Sequence, residues 1–385
     1  MLTVLLGPSG ALADDGLEAI AGKVLFERQW VPAPASTDAA DGLGPHFNAR
    51  GCAGCHKGGG GGLVKNAAGR RDLTGAVVRL GSSAGAADPL YGRQLQTGAV
   101  PGLAAEARVR FLPRLSVKLA GPALGSGINA SVRLAPSLFG RAAFEDIAGE
   151  DILKHADPDD KDGDGISGRA QIGDTAGGPR VARFGWKAAH ATLDTQIAHA
   201  FMLDLGLSSP RFPMPHGDCT ALQVDCQAAP TGESAAFEGR EVSSQMISLV
   251  ARYLATLEAP QQTSYDGAGA ELFRATGCAA CHVPVMLSAT GAPIALFSDL
   301  LLHDMGPGLD DGAGEPGAGS AEWRTAPLIG LGLMARRRAY LHDGRAATLK
   351  AAILAHGGEA EKSKTAFRAL TQSAKRRLIG YLSGL

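Results

Sequence analysis

The sequence contains the pattern Cys-x-x-Cys-His twice, in the stretches RGCAGCHKG and TGCAACHVP. Two thiols at this spacing can add to the vinyl groups of one porphyrin, and the adjacent imidazole can ligate its iron. A thioredoxin-like redox site would not need the histidine, and a zinc site would need a second ligand pair nearby. The pattern therefore predicts two covalently attached haem c groups, with His56 and His282 as proximal iron ligands. The attachment cysteines are Cys52 and Cys55 in the first copy and Cys278 and Cys281 in the second.

The elements that must position these motifs form an internal repeat. An amphipathic helix with Gly-x-x-Leu-Phe precedes each motif, in GLEAIAGKVLFERQW and in SYDGAGAELFRATG. Each unit closes with an apolar helix containing Tyr-Leu, in ISLVARYLATL and in KRRLIGYLSGL. We therefore expect a mainly α fold of two cytochrome c-like domains, at residues 14–260 and 261–385, joined by a linker at 259–267. The first domain carries a long, loop-rich insertion.

The remaining cysteines, Cys219 and Cys226, flank a short polar loop. Covalent haem attachment implies export, so we expect a disulfide formed in an oxidising compartment, with two free thiols as the alternative. Residues 1–13, MLTVLLGPSGALA, end in the small-x-small pattern of a signal-peptidase site, although the basic segment is missing. This predicts the remnant of an export signal and a periplasmic location, whereas the alternative is a frayed first strand or helix.

The charge balance excludes some classes of partner. Lysine plus arginine (37) nearly equals aspartate plus glutamate (38), so no overall field favours nucleic acid or an anionic membrane surface. No later apolar run is long enough to span a bilayer, so we expect a soluble mature protein. The sequence leaves open whether it is a monomer or a homodimer.

Several stretches carry a resemblance to a known family, among them DPLYGRQLQTGAVPG, DPDDKDGDGISGR, RFGWKA, DLLLHDMGPGL, EWRTAPLIGLGL and YLHDGRA. The chain resembles the bacterial di-haem cytochrome c peroxidase and MauG superfamily, most closely its di-haem oxidoreductase branch. The resemblance implies that one haem delivers electrons while the other meets peroxide. It implies hydrogen peroxide or another small oxidant as substrate, and a small cytochrome c or cupredoxin as electron donor.

His356 is predicted to be the second axial ligand of the second haem. It ends the amphipathic helix TLKAAILAHGG, and in the resembling peroxidases and in MauG this position is a methionine and a tyrosine, respectively. Bis-histidine coordination would give a lower potential than histidine with methionine. His342, in YLHDG, matches a histidine that the peroxidases keep beside this haem and is expected to donate to a propionate or to the ligand. His303 and Met305 are the rival ligands.

The first unit has no histidine soon after its motif, so we expect an open or easily opened sixth position on that iron. Gln96 and Glu106 are ten residues apart, as in the peroxidase distal pocket. There Glu106 would carry a proton between the peroxide oxygens and Gln96 would orient the peroxide. Two solvated polar residues on a loop are the alternative. His155, in EDILKHAD, aligns with His356 in the repeat and could instead cap the first haem.

Asp160, Asp162, Asp164 and Ile166 follow the opening of a calcium loop, D-x-D-x-D-G. Position twelve is Gln171 rather than glutamate, so the bidentate closing ligand is missing. The alternative is an acidic surface loop without metal.

Trp186 and Tyr91 are candidates for an aromatic bridge that carries an electron or a hole between the haems, although either could equally be a core aromatic.

Together these residues predict a periplasmic di-haem c-type oxidoreductase. It would reduce hydrogen peroxide at the haem of His56 with electrons that pass through the haem of His282. Two alternatives remain: MauG-like oxidation of a protein substrate by highly oxidised irons, and a non-enzymatic di-haem electron carrier.

Overall fold

The computed structural model describes residues 10–67, 70–111, 115–260, 266–334 and 339–385. The first nine residues of the predicted export-signal remnant lie outside this range. The middle of the predicted linker, residues 261–265, lies outside it as well.

Ten α-helices occur in the described part of the chain. They are α1 Gly10–Glu27, α2 Gly149–Leu153, α3 Leu193–Leu205, α4 Val224–Gln227, α5 Ser244–Ala255, α6 Gly267–Ala275, α7 Leu331–Met334, α8 Leu349–Ala355, α9 Glu361–Ala369 and α10 Gln372–Ser383. Short 3₁₀ turns at Cys52–Gly54 and Cys278–Ala280 present the two cysteine motifs.

The same part of the chain contains fifteen strands. They are β1 His46–Phe47, β2 Leu63–Ala67, β3 Arg70–Thr74, β4 Ala76–Gly81, β5 Gln94–Leu95, β6 Gly98–Ala99, β7 Ala107–Arg110, β8 Ser116–Leu119, β9 Asn129–Leu134, β10 Ile172–Gly173, β11 Arg180–Val181, β12 Val285–Leu287, β13 Pro293–Ala295, β14 Leu302–Asp304 and β15 Glu322–Arg324.

These strands show that the expectation of a mainly α fold is wrong. They pair antiparallel into seven small sheets, of which the order β5-β4-β9 is three-stranded and the others are two-stranded. The insertion in the first half holds much of this structure, including β2 to β9. The strands were missed because most are two to five residues long, which is too short for an alternating pattern to stand out.

The helix that precedes each cysteine motif packs against the helix that closes its half. Phe26 of α1 lies against Tyr253 of α5, with ring centroids 5.2 Å apart, and Phe273 of α6 lies against Tyr381 of α10 at 5.8 Å. A glycine lies at each crossing: a Cβ on Gly22 would collide with the backbone of α5, and one on Gly269 would lie 2.5 Å from Tyr381 Cβ. The repeat in the sequence thus corresponds to two equivalent close helix crossings.

Each helix crossing belongs to its own hydrophobic core. The first core combines side chains of α1, α3 and α5, including Phe26, Phe201 and Val250, together with Trp30, which follows α1. The second combines α6, α8, α9 and α10, including Phe367 and Leu378. None of the described helices combines the length and the apolar character that a bilayer crossing requires.

Two β elements bring charged and aromatic residues between the cores. In the β4–β9 pair, Arg79 lies opposite Ser131 and Val77 opposite Arg133. In the β14–β15 hairpin, His303 lies opposite Trp323. Residues far apart in the sequence therefore meet beside both cysteine motifs.

Candidate functional site

Each cysteine motif lines its own cavity of about 230 Å³. We call them the His56 cavity and the His282 cavity. The wall of the His56 cavity is largely apolar and includes Phe26, Leu138, Phe144 and Ile197. Phe273, Leu328, Leu349 and Ile353 form much of the wall of the His282 cavity. The two cavities have the same size, so differences in their polar residues must distinguish them.

His356 faces His282 across the second cavity, with ring centroids 6.5 Å apart. His282 Nδ1 lies 3.1 Å from the carbonyl oxygen of Phe297, and His356 Nδ1 lies 2.8 Å from that of Ala352. A carbonyl oxygen can only accept, so Nδ1 carries the hydrogen in both rings and Nε2 keeps its lone pair. Burial lowers the pKa of His282 to about 4 and also lowers that of His356, so both rings are neutral at pH 7. Two neutral imidazoles arranged in this way suit one metal ion between them.

His303, one of the two rival ligands in this cavity, already hydrogen-bonds to other side chains. Both ring nitrogens of His303 are bonded to carboxylates, Nε2 to Asp299 at 2.8 Å and Nδ1 to Glu359 at 2.6 Å. Burial alone would lower the pKa of His303, but its hydrogen bonds to Asp299, the Cys281 sulfur and Glu359 raise it to about 12. A ring that is protonated on both nitrogens cannot ligate a metal. Met305 lines the cavity as well.

His342 also lines this cavity but is held flat against Trp323, with ring centroids 3.7 Å apart and planes inclined by 8°. Burial, together with the positive charges of Arg133, Arg345 and Lys187, lowers the pKa of His342 to about 2. The ring is therefore neutral.

The His56 cavity has a different polar lining. It contains two imidazoles, His190 and His199, whose centroids are 4.5 Å apart, together with Arg79, Gln196 and Glu315. Burial lowers the pKa of His190 to about 4 and that of His199 well below its usual value. Burial would raise the pKa of Glu315, but Arg79, Arg133, Lys187 and His190 lower it, so this carboxylate is ionised. The cavity thus holds a buried set of acid–base groups.

Sequence reasoning missed these five residues, because they come from three distant segments of the chain, around Arg79, at 190–199 and around Glu315. One signal was available: His199 lies on α3 among apolar residues, in DTQIAHAFML, and follows His190 by nine residues.

Two cations lie beside each other at the wall of the His56 cavity. Burial, reinforced by the adjacent charge of Arg324, lowers the pKa of Arg141 to about 9, and burial lowers that of Arg324 to about 10. Arg141 Nε and Nη2 donate to backbone carbonyls, whereas Nη1 is buried with no hydrogen-bond partner among the described residues. Arg79 Nε and Gln196 Oε1 are buried without a partner in the same sense. These atoms are placed to meet a polar or anionic group in the cavity.

The thiols of the motifs are chemically suited to covalent attachment. All four are free of disulfides. Burial, reinforced by the negative charge of Asp204, raises the pKa of Cys52 and Cys55 to about 12, and burial raises that of Cys278. With the apolar walls, the unpartnered arginine atoms and the His282–His356 pair, the residues of both cavities fit haem.

Trp186 and Arg324 line both cavities. Trp186 Nε1 donates to the carbonyl of Leu134 at 2.8 Å, which fixes the indole, and Trp323 lies edge-on to it with centroids 6.5 Å apart. Lys187 Nζ lies 3.8 Å from the centroid of Trp323 and donates to three backbone carbonyls. The aromatic residue predicted as a bridge therefore lies between the cavities.

Tyr91 does not share this position. It lies in a separate core cluster with Val78 and Leu95, donates its hydroxyl to the carbonyl of Pro122 at 2.8 Å, and lines neither cavity. The position of Tyr91 therefore does not support a role for it in a bridge between the cavities.

Gln96 and Glu106 are brought together but line neither cavity. Glu106 Oε2 accepts the backbone N–H of Gln96 at 2.7 Å, and Gln96 Nε2 donates to the carbonyl of Leu203 at 2.9 Å. Both side chains are buried, so they are not solvated loop residues either. The structure therefore does not place Gln96 and Glu106 in a distal peroxide pocket of either cavity.

His155 is exposed and lines neither cavity, so it does not cap the first haem site. It follows the short helix α2, whose buried face is formed by Asp151 and Ile152.

The predicted disulfide between Cys219 and Cys226 is confirmed.

The acidic loop gathers the carboxylates of Asp160, Asp162 and Asp164 within 4.8 Å of one another. Backbone N–H groups already bond to them, with Gly165 N 3.0 Å from Asp160 Oδ1 and Ile166 N 2.7 Å from Asp164 Oδ1. Ile166 lines the His282 cavity. Calcium at this loop stays a prediction.

Residues 123–385, more than half of the chain, match the family described as "Di-haem oxidoreductase, putative peroxidase". A comparison with curated proteins gives no match. Among solved structures, a hydrazine synthase from Kuenenia stuttgartiensis, pressurized with xenon, matches with 19% sequence identity and a TM-score of 0.27. The match covers 45% of this chain and 64% of the hydrazine synthase chain. A TM-score this low carries no argument about fold or function.

Proposed function

Because this chain belongs to the di-haem oxidoreductase family, we propose that it reduces hydrogen peroxide in the His56 cavity with electrons that pass through the His282 cavity. Each cavity would hold one haem, attached through its two cysteines and ligated by its motif histidine. When bound, the haem supplies an iron that exchanges electrons and binds oxygen ligands. The observation that carries the proposal is the contrast in polar lining between two cavities of equal size.

The His282 cavity suits electron transfer. His356 and His282 are both tied through Nδ1 to backbone carbonyls of their own half, so neither ring has to reorient when the charge between them changes. Fixed ligands keep the reorganisation small, and their hydrogen bonds tune the metal.

The His56 cavity suits proton chemistry. His190 is neutral at pH 7 because burial lowers its pKa to about 4, so a ring nitrogen of His190 can take a proton from one peroxide oxygen and return it to the other. Arg79 Nε has no hydrogen-bond partner among the described residues, so it is available to a ligand in the cavity. The charge of Arg79 stabilises the negative charge that develops as the O–O bond breaks. The ionised Glu315 offsets part of the positive charge that Arg79 brings to the cavity.

Trp186 offers the path between the two sites, because its indole lines both cavities and is held by Leu134. We propose that electrons cross at this ring.

The disulfide and the two haem-attachment motifs support a periplasmic location, where thiols are oxidised and haem c is attached. The donor would be a small redox protein of the cytochrome c or cupredoxin class.

The direct test mixes purified holoprotein with hydrogen peroxide and a reduced donor in stopped flow. His190→Gln should lower peroxide-dependent turnover by about 10²–10⁴-fold, the range for a lost acid–base group. His216→Gln, which replaces a histidine that bonds only to the carbonyl of Ala229 and lines neither cavity, is the matched control.

The resting ferric spectrum provides an independent outcome. A high-spin signal beside a low-spin one supports an open iron in the His56 cavity. If both irons are low-spin and remain inert to peroxide after reduction, His190 or His199 is an axial ligand and the protein is an electron carrier.

A further inference from the structure

A second group of redox-capable side chains lies outside both cavities. His46, Cys219 and Cys226 offer ring nitrogen and sulfur atoms that all lie within 4.8 Å of one another. The two sulfurs form the disulfide, and His46 Nδ1 lies 3.8 Å from the sulfur of Cys219. We propose that this disulfide is redox-active: it accepts two electrons from a dithiol, and His46 stabilises the thiolate released at Cys219. The proposal does not depend on the peroxide reaction.

The orientation of His46 is the first support. Its Nε2 lies 3.1 Å from the carbonyl oxygen of Ala104, which can only accept, so Nε2 carries a hydrogen. Nδ1 then faces two acceptors, the Cys219 sulfur and Oε1 of Glu106 at 3.5 Å. A proton on Nδ1 is available to a thiolate at Cys219.

Hydrogen bonds hold the Glu106 carboxylate in place, and one of them comes from the disulfide loop. Its Oε1 accepts from Nε2 of Gln223, which lies inside the loop, at 2.5 Å, and its Oε2 accepts from the backbone of Gln96. The side chains of His46 and Glu106 are only 9% and 4% exposed. A buried histidine and a buried carboxylate held together beside a sulfur are a costly arrangement for a bond with a purely structural role. The residues singled out in the sequence as a peroxide pocket thus form the support of this second site.

The two sulfurs differ in access. Cys226 is 2% exposed, whereas Cys219 is partly exposed. A dithiol reductant therefore attacks as a thiolate at Cys219, the S–S bond breaks, and Cys226 leaves with the electron pair and takes up a proton. The second thiol of the reductant then attacks its own sulfur in the mixed disulfide, and Cys219 leaves as a thiolate beside His46. The dithiol is oxidised to a disulfide and the protein is reduced by two electrons.

The test uses the folded holoprotein and dithiothreitol, with samples taken at intervals and alkylated with iodoacetamide. Peptide mass spectrometry then measures alkylation at Cys219 and Cys226 separately, while circular dichroism monitors folding. We expect reduction without unfolding, and faster alkylation of Cys219 than of Cys226.

His46→Gln should slow alkylation of Cys219 by about tenfold, since thiolate character governs thiol reactivity. His216→Gln is the control because His216 is three residues from Cys219 but bonds to Ala229 rather than to sulfur. If His46→Gln fails to fold, the Cys226→Ser protein replaces it: its single loop thiol should alkylate faster than a cysteine in an unstructured peptide.

The proposal is overturned if the disulfide stays oxidised until urea unfolds the chain. It is also overturned if both cysteines are alkylated at equal rates in wild type and in His46→Gln. The same holds if Cys219 of the Cys226→Ser protein is alkylated no faster than the cysteine of the unstructured peptide.

Discussion

The rings of His282 and His356 have centroids 6.5 Å apart, and each donates Nδ1–H to a carbonyl of the protein backbone. This arrangement leaves two lone pairs directed into one cavity. Replacing His356 by alanine should convert the low-spin signal of that haem to high spin and raise its reduction potential. Electron paramagnetic resonance and a redox titration measure both. Met305→Leu is the matched control in the same cavity, and a loss of the low-spin signal in that variant would identify Met305 as the ligand instead.

Trp186→Phe should slow electron transfer between the haems, because the smaller ring loses both the bond to Leu134 and part of the shared wall. Flash photolysis of the half-reduced protein gives the rate. Tyr91→Phe, which lies outside both cavities, should leave it unchanged; an equal effect in both variants would show that the path runs elsewhere.

Glu315→Gln and Glu106→Gln together discriminate between the site expected from the sequence and the site in the structure. Loss of the Glu315 carboxylate leaves the charge of Arg79 without compensation and should lower peroxide turnover by about 10²-fold, as the loss of one electrostatic contact in a catalytic site does. Glu106→Gln should retain most turnover, since Glu106 lines neither cavity. Steady-state peroxide kinetics on both folded variants is the measurement, and the opposite order of effects would restore the Gln96–Glu106 interpretation.

The helix crossing at Gly22 can be tested by stability. Gly22→Ala should lower the free energy of unfolding by about 1–3 kcal/mol, as overpacking does, because the new Cβ meets the backbone of Leu249. Gly16→Ala on the same helix has open space and should be neutral or stabilising by up to about 1 kcal/mol. Denaturant titrations of both variants provide the comparison. Equal changes in the free energy of unfolding in the two variants would mean that helix propensity, and not the helix crossing, determines the effect of Gly22→Ala.

Acid should destabilise the fold through its buried neutral histidines. Burial lowers the pKa of His190 to about 4 and that of His342 to about 2, against about 6.5 in the unfolded chain. Below about pH 6.5 the unfolded chain therefore binds more protons than the folded chain. The stability that the two neutral histidines contribute is complete above that pH and is lost as the pH falls toward their folded pKa values. Each contributes a slope of about 1.4 kcal/mol per pH unit in this window. Urea titrations between about pH 7 and pH 5 should show the decline, and His342→Phe should make it shallower.

Calcium should bind at the loop of Asp160, Asp162 and Asp164 if their convergence reflects a cation site. The missing glutamate at position twelve and the amine of Lys362, which bonds to the carbonyl of Asp164, both favour weak binding. Isothermal titration calorimetry should detect binding that is lost in Asp162→Asn. Absence of heat at millimolar calcium would leave the loop as an acidic surface feature.

Local patterns in the sequence were informative where function needs neighbouring residues. The two cysteine motifs, the repeat of Gly22 with Tyr253 and of Gly269 with Tyr381, and the direction of His356 all depend on spacing within one helix or turn, or on a repeated pair of helices. Trp186 was also placed by its local motif.

The polar lining of the His56 cavity could not be found in this way. Arg79 comes from a strand, His190 from a β-bridge just before α3, His199 from the interior of α3, and Glu315 from a loop of the other half. Their meeting depends on sheet pairing that short strands do not reveal in the sequence. Gln96 and Glu106 have a suggestive spacing, but Gln96 bonds to the carbonyl of Leu203 and Glu106 lies beside His46, so neither lines a cavity.

The neighbouring guanidinium groups of Arg141 and Arg324 constrain how the protein is made. A chain that folded without its cofactors would enclose two like charges in a low-dielectric wall, where burial already lowers the pKa of both groups. The carboxylates carried by haem would neutralise them, so we expect haem attachment to stabilise the fold. We then expect a cell short of haem to hold less of this protein, because the less stable unfilled chain is more open to proteases.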